Sequence, residues 1–213
     1  MPAAIAPGAV RALLFDLGGV VLDVDFERAL AAWAPHSRLP PERLRERFAF
    51  DEPYQRHETG HLHEDGYFDH LRQALALECD AGTVRAGFNA VLVGEIEETV
   101  DMLQALQGRV PCHAISNTNA AHLAQIARAF PRLLPLFTRV FASHAIGHRK
   151  PHAGAFEHVL RAIGLPPAQV LLFDDLAPNV EAARALGLQA VQVRSPADVR
   201  EALRLRGLLG PDV

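Results

Sequence analysis

The chain has 213 residues, 49% of them hydrophobic and 22% charged, which is the composition of a folded protein with a sizeable core. A formal net charge of −4 gives no footing for nucleic acid or for an anionic membrane surface. Cys79 and Cys112 are isolated, and no apolar run is long enough to span a bilayer, so a soluble protein of the reducing cytoplasm is expected, by default a monomer.

Residues 1–8 are small and proline-containing, without the basic start and apolar stretch of a secretory leader. Residues 10–15 form an apolar run that delivers Asp16 to the point where a strand should end, and Gly18-Gly19 let the backbone turn there. Residues 22–94 read differently. Segments 26–34, 41–50 and 64–77 are amphipathic or rich in Ala and Leu, no strand is evident, and a polar and aromatic connection spans 51–60. From residue 95 onward, helical and apolar textures alternate. Helices are predicted over 95–107, 119–130, 153–163 and 178–186, and buried strands over 112–116, 139–143, 170–173 and 189–193. The expected fold class is α/β, a doubly wound parallel sheet made from 1–21 and 95–213, with a small helical insertion, 22–94, after the first strand.

In such sheets functional residues gather at the carboxyl ends of the strands, and four ends here carry chemistry. Asp16, held at the mouth of the sheet, suits a nucleophile or a metal ligand; it would equally serve as an ordinary loop or capping aspartate. Ser116-Asn117-Thr118-Asn119 offers a hydroxyl and backbone N–H groups at a helix start, an anion site or simply a set of caps. Lys150 is the only lysine beside twenty arginines, and could bring a compact charge to a phosphate or a carboxylate, or sit solvated in its loop. Asp174-Asp175 comes after a buried run and should repel unless a cation compensates, which favours Mg²⁺ over a cap and a solvated partner.

Taken together, Phe15-Asp16-Leu17-Gly18-Gly19-Val20, Ser116-Asn117, Lys150-Pro151 and Asp174-Asp175 resemble, in order, the four motifs of the haloacid dehalogenase (HAD) superfamily. Glu58-Thr59-Gly60 and Ser116-Asn117-Thr118-Asn119 look closest to a bacterial subgroup containing a glucose-1-phosphate phosphatase. The resemblance implies a HAD-like Rossmannoid core with 22–94 as its cap. It also implies a Mg²⁺-dependent phosphatase acting on a small phosphomonoester, a sugar phosphate by preference. Asp16 would attack phosphorus to form an aspartyl-phosphate that water then hydrolyses. Mg²⁺ would be held by Asp16, Asp175 and the carbonyl of Gly18, with Asp174 as ligand or close behind. Ser116, Asn117 and Lys150 would hold phosphate oxygens. Tyr54, Arg56, His57 and Glu58, in the cap's connection, are the substrate-facing candidates.

Gly18 departs from the pattern, because most phosphatases of the superfamily carry a second aspartate there to move the leaving group's proton. Either the leaving group is intrinsically good, or Asp23, Asp25, His57 or His61 substitutes, or turnover is slow. The rival readings are a metal-independent 2-haloacid dehalogenase, which the paired acids argue against, and a phosphate-ligand binding protein without catalysis. His61 and His63 form too sparse a pair for a transition metal, and Trp33 reads as core of the insertion.

Overall fold

The structure is a computed structural model in which residues 10–210 are described; the proline-containing stretch 1–8 lies outside them. Its centre is a five-stranded parallel sheet in the order β5-β4-β1-β6-β7. The strands are β1 (Ala12–Phe15), β4 (Cys112–Ser116), β5 (Arg139–Ala142), β6 (Val170–Asp174) and β7 (Gln189–Gln192). Every residue of β1, β4 and β6 is buried, as expected of parallel strands covered on both faces. Register puts Phe15 beside Ala114 of β4 and Phe173 of β6, so the ends of the three central strands lie side by side.

Helices cover both faces. On one side, α6 (Glu97–Ala105), α7 (Ala120–Ala129) and α11 (Pro196–Arg204) contribute Leu103, Ile126 and Leu203 to a cluster with Leu13, Phe15 and Phe173. On the other, α9 (Ala153–Ile163) and α10 (Ala177–Ala185) place Phe156 and Val180 against Leu14 and Leu172. Each such fully buried side chain contributes roughly 1.5–3 kcal/mol. The short α8 (Ser143–Ile146) comes directly after β5. Among the described residues, no helix is long and apolar enough to cross a membrane.

The insertion holds α1 (Phe26–Trp33), α2 (Pro41–Arg47), α3 (Glu52–Glu58), α4 (Glu64–Ala74) and α5 (Ala81–Asn89), packed around their own apolar cluster. Trp33 lies at its centre, fully buried, with Nε1 donating to the carbonyl of Val84 at 3.1 Å. Two features differ from the sequence expectation. The insertion enters and leaves through a two-stranded antiparallel ribbon, β2 (Leu22–Val24) and β3 (Leu92–Glu95), too short and too mixed in polarity to show alternation. The supposed connection 51–60 is largely helix α3: Asp51 accepts from the N–H of Tyr54 and Pro53 sits in the first turn, so residues that read as a turn start a helix instead.

Candidate active site

Three strand ends and one loop converge at the carboxyl edge of the sheet. Asp16, immediately after β1, is buried, and its Oδ2 lies 2.7 Å from Lys150 Nζ. The same ammonium lies 2.5 Å from Oδ2 of Asp174, the last residue of β6. Lys150 itself is only 1% exposed. Burial alone would favour a neutral amine, but Asp16 and Asp174 reverse this and hold the ammonium above the ordinary lysine range. The loop that delivers it is clamped by Asn117, whose amide donates to the Lys150 carbonyl at 2.9 Å and accepts from its N–H at 2.8 Å.

One ammonium does not balance three carboxylates. Burial pushes Asp16 up to about 7, Lys150 opposing and Asp174 and Asp175 adding to the rise. Burial and Asp174 also raise Asp175. Asp16, Asp174 and Asp175 can bring carboxylate oxygens within 4.8 Å of one another, a hard-oxygen donor set with excess negative charge. That is the chemistry a divalent cation fits. Asp174 is the member with least to offer, because its Oδ2 faces Lys150 while Oδ1 accepts from Leu176 N–H at 3.0 Å and Asn179 Nδ2 at 2.8 Å. Asp175 is closely overlain by the turn after Asp16: a Cβ on Gly19, whose φ is +72°, would fall 2.5 Å from Asp175 Oδ2. Only glycine satisfies both the left-handed backbone and that approach.

A cavity of about 370 Å³ opens above this centre. Asp16, Gly18, Ser116, Asn117 and Asp175 line its floor, and Tyr54 its upper wall. The other three candidates from the insertion, His57, Arg56 and Glu58, lie elsewhere. His57 is buried inside the insertion, stacked on Tyr67 at 4.6 Å, with Nδ1 donating to the Leu62 carbonyl at 3.1 Å, and burial lowers its pKa. Arg56 is half exposed, paired with Glu52, and borders a separate hollow beside Arg149. Both depart from the expectation for the same reason: a helix turns successive side chains to different faces, whereas a loop would have left all of them eligible. Glu58 is buried and joins the insertion to the sheet domain, its Oε2 2.9 Å from Arg149 Nε, and its charge helps raise the neighbouring Tyr54 phenol. Gly60, with φ +74°, presses on the core so closely that a Cβ would lie 2.4 Å from the His144 carbonyl oxygen.

None of the substitutes for the missing acid at position 18 lines the cavity. Asp25 caps α1 through Glu27 N–H, and Asp23 and His61 are exposed. His122 does line it, but its nitrogens are engaged: Nε2 donates to the Phe88 carbonyl at 3.0 Å, and Nδ1 accepts from Asn119 Nδ2 at 3.2 Å. Burial lowers its pKa to about 4, so the ring is neutral and its proton committed. Asn179 is the polar residue that sequence reasoning missed; its signal was an amide five residues past Asp174, on the face of α10 turned to the strand end.

The haloacid dehalogenase-like hydrolase family profile matches residues 10–187. The chain belongs to that family. A HAD family enzyme from Bacteroides thetaiotaomicron, solved as a magnesium complex, shares the fold at a TM-score of 0.83 and 24% identity, over 92% of this chain and 99% of that one. D-ribitol-5-phosphate phosphatase of the same organism is 21% identical, over 91% of this chain and 97% of its own length. Sesquiterpene phosphatase astK of Aspergillus oryzae is 26% identical, over 94% and 97% respectively. Drimenol cyclase drtB of Aspergillus calidoustus is 29% identical over 91% of this chain, which spans only 36% of that protein. As a member of this family, the chain is a hydrolase.

Proposed function

We propose that this hydrolase cleaves small phosphomonoesters through a phosphorylated Asp16, with Mg²⁺ as its metal. The observation that carries the reading is Asp16 at the strand end, ion-paired with buried Lys150 and flanked by Asp174 and Asp175. A carboxylate oxygen of Asp16 would attack phosphorus as the ester's bridging oxygen departs; water would then attack the same phosphorus, releasing phosphate and restoring Asp16. Asp16, Asp175 and the Gly18 carbonyl would hold Mg²⁺. Asp174 is better suited to fixing Lys150 and the adjoining turn, given that both its oxygens accept hydrogen bonds. Bound there, the ion would neutralise charge on the transferring phosphoryl group. Ser116, Lys150 and main-chain N–H groups beyond β4 would hold its remaining oxygens, while the Asn117 side chain positions Lys150.

In this reading 22–94 is the cap, and the organic part of the substrate lies between it and the sheet. Named relatives span polyol and terpenoid substrates, so their names alone leave that part open. The unpaired Cys79 and Cys112 suit the cytoplasm. The test is release of inorganic phosphate from acetyl phosphate with and without Mg²⁺, repeated with Asp16→Asn. Mg²⁺-dependent release, lost by at least about 10³-fold in the variant while its circular dichroism is unchanged, is the expected result. Halide release from 2-chloropropionate without metal would replace the reading by dehalogenation. Phosphate binding without turnover would replace it by a binding role.

A further inference from the structure

The polar floor of the cavity accounts for a phosphate; the rest of the cavity is a different environment. Leu22 and Val24 of β2, Val91 and Leu92 at β3, and Phe26 of α1 form one wall. Phe50 and Tyr54 close it from the cap, and Leu176 from the core. The aromatic side is preorganised: Phe50 meets Tyr54 edge-on at 4.9 Å and Phe26 at 5.1 Å. Phe50 and Leu176 are each 54% exposed, two of the four large hydrophobic side chains left so among the described residues. Solvent-facing apolar groups concentrated at the rim of one cavity mark a surface awaiting an apolar partner.

Most polar groups interspersed there are already used: His122 has partners on both nitrogens, the Asn179 amide donates to Asp174, and Asn117 spans the Lys150 backbone, which leaves the Thr118 hydroxyl and the Tyr54 phenol beside Glu58. A polyol placed here would bury hydroxyls without partners, each costing about tenfold or more in affinity. The sugar phosphate favoured by the sequence resemblance is therefore poorly matched to this wall.

We infer that the substrate is a monophosphate ester whose organic group is a hydrocarbon body, isoprenyl or aryl, seated between the β2–β3 ribbon and the Phe26–Phe50–Tyr54 cluster. The inference rests on the reading of Asp16 as phosphoryl acceptor, which fixes the phosphate at the polar floor. A volume of about 370 Å³ lies in the range of small-molecule sites, so the ligand is a compact one rather than a long lipid.

Calorimetric titration of Asp16→Asn with Mg²⁺ present separates the alternatives, using geranyl monophosphate, 2-naphthyl phosphate, glucose 1-phosphate and ribitol 5-phosphate. The two apolar esters are expected to bind at least about tenfold more tightly, with a more negative heat-capacity change. Which of the two is tighter distinguishes isoprenyl from aryl. Phe50→Asn and Leu176→Asn replace half-exposed side chains at the rim, and each, with circular dichroism unchanged, should narrow the gap several-fold. The wild-type ratio of kcat/KM for geranyl monophosphate over ribitol 5-phosphate, both esters of alkyl alcohols, is an independent readout. Equal or tighter binding of the polyol esters overturns the inference even where acetyl phosphate is hydrolysed. Tight geranyl monophosphate binding to the wild type without any phosphate release would sink the phosphatase reading, and with it the term substrate, while keeping the apolar wall as the ligand's seat.

Discussion

At the scale of single residues, position 18 decides how the ester's oxygen leaves. Beyond Asp16 and Asp175, which the proposed reaction assigns to phosphoryl transfer and the metal, no titratable side chain lining the cavity has a proton to give: His122 has committed its own to Phe88, and burial lifts the Tyr54 phenol well above its ordinary range. The rate should therefore depend steeply on leaving-group acidity, aryl esters far exceeding alkyl esters. Gly18→Asp is sterically open, since a Cβ there would meet only Val24 methyls at 3.5 and 3.7 Å. That substitution is expected to raise turnover of alkyl phosphates by roughly 10²-fold or more and to flatten the leaving-group dependence. A steady-state series across esters of graded acidity measures both. No gain on the poorest leaving groups would mean that a proton reaches them by another route.

Between elements, the joint that matters runs from α3 to the loop between α8 and α9. Glu58 and Arg149 are buried to different degrees, with side chains 4% and 21% exposed, and they tie the cap to the residue next to Lys150. A pair of this kind is felt mostly when one partner is left alone. Glu58→Gln and Arg149→Gln should each destabilise by about 1–3 kcal/mol, and the double variant by less than their sum. Urea unfolding of the cycle gives the coupling, and the single variants should raise KM more than they lower kcat. Strict additivity would mean that the pair does not couple cap to core.

Sequence legibility also divided at the level of elements. Asp16, Ser116 and Asp174-Asp175 could be read because parallel strands buried on both faces appear as unbroken apolar runs, and the residues at the ends of those runs meet at one sheet edge, whereas Lys150 arrives from the loop between α8 and α9 and stood out as the only lysine. Helix α3 could not, because Asp51 and Pro53 signal a turn as readily as a helix start. Its misreading carried His57 and Arg56 into the candidate list. The apolar wall had no signature either: Phe26 and Phe50 in an insertion look like core until their neighbours are known, and only geometry separates lining from filling.

For the molecule as a whole, His122 links acidity to stability. Its folded pKa, about 4, lies below the ordinary 6.5, so the unfolded chain binds the extra proton across that interval. The contribution of the neutral ring is complete above pH 6.5 and is lost as pH falls toward 4, a difference of about 3 kcal/mol. The loss falls on the joint between the sheet domain and the insertion, since His122 on α7 stacks on Phe88 of α5 at 4.2 Å. His122→Gln keeps a donor for the Phe88 carbonyl and removes the titration. Its unfolding free energy should fall by about 2–3 kcal/mol less than that of the wild type between pH 7 and pH 4.5. Parallel pH profiles would show that folding does not depress the His122 pKa.

Lys150 has a consequence beyond electrostatics. It is the only lysine in the chain, every other basic side chain except histidine being arginine, and it is 1% exposed. Apart from the chain's amino terminus, an acylating reagent has a single amine to find, and that amine is shielded for as long as its carboxylates and the loop around it stay in place. Modification at this one position would advance only through openings of the centre, as amide exchange advances only through openings of a helix. The residue that holds the site together thus also keeps count of how often it comes apart, in any buffer and with no substrate present.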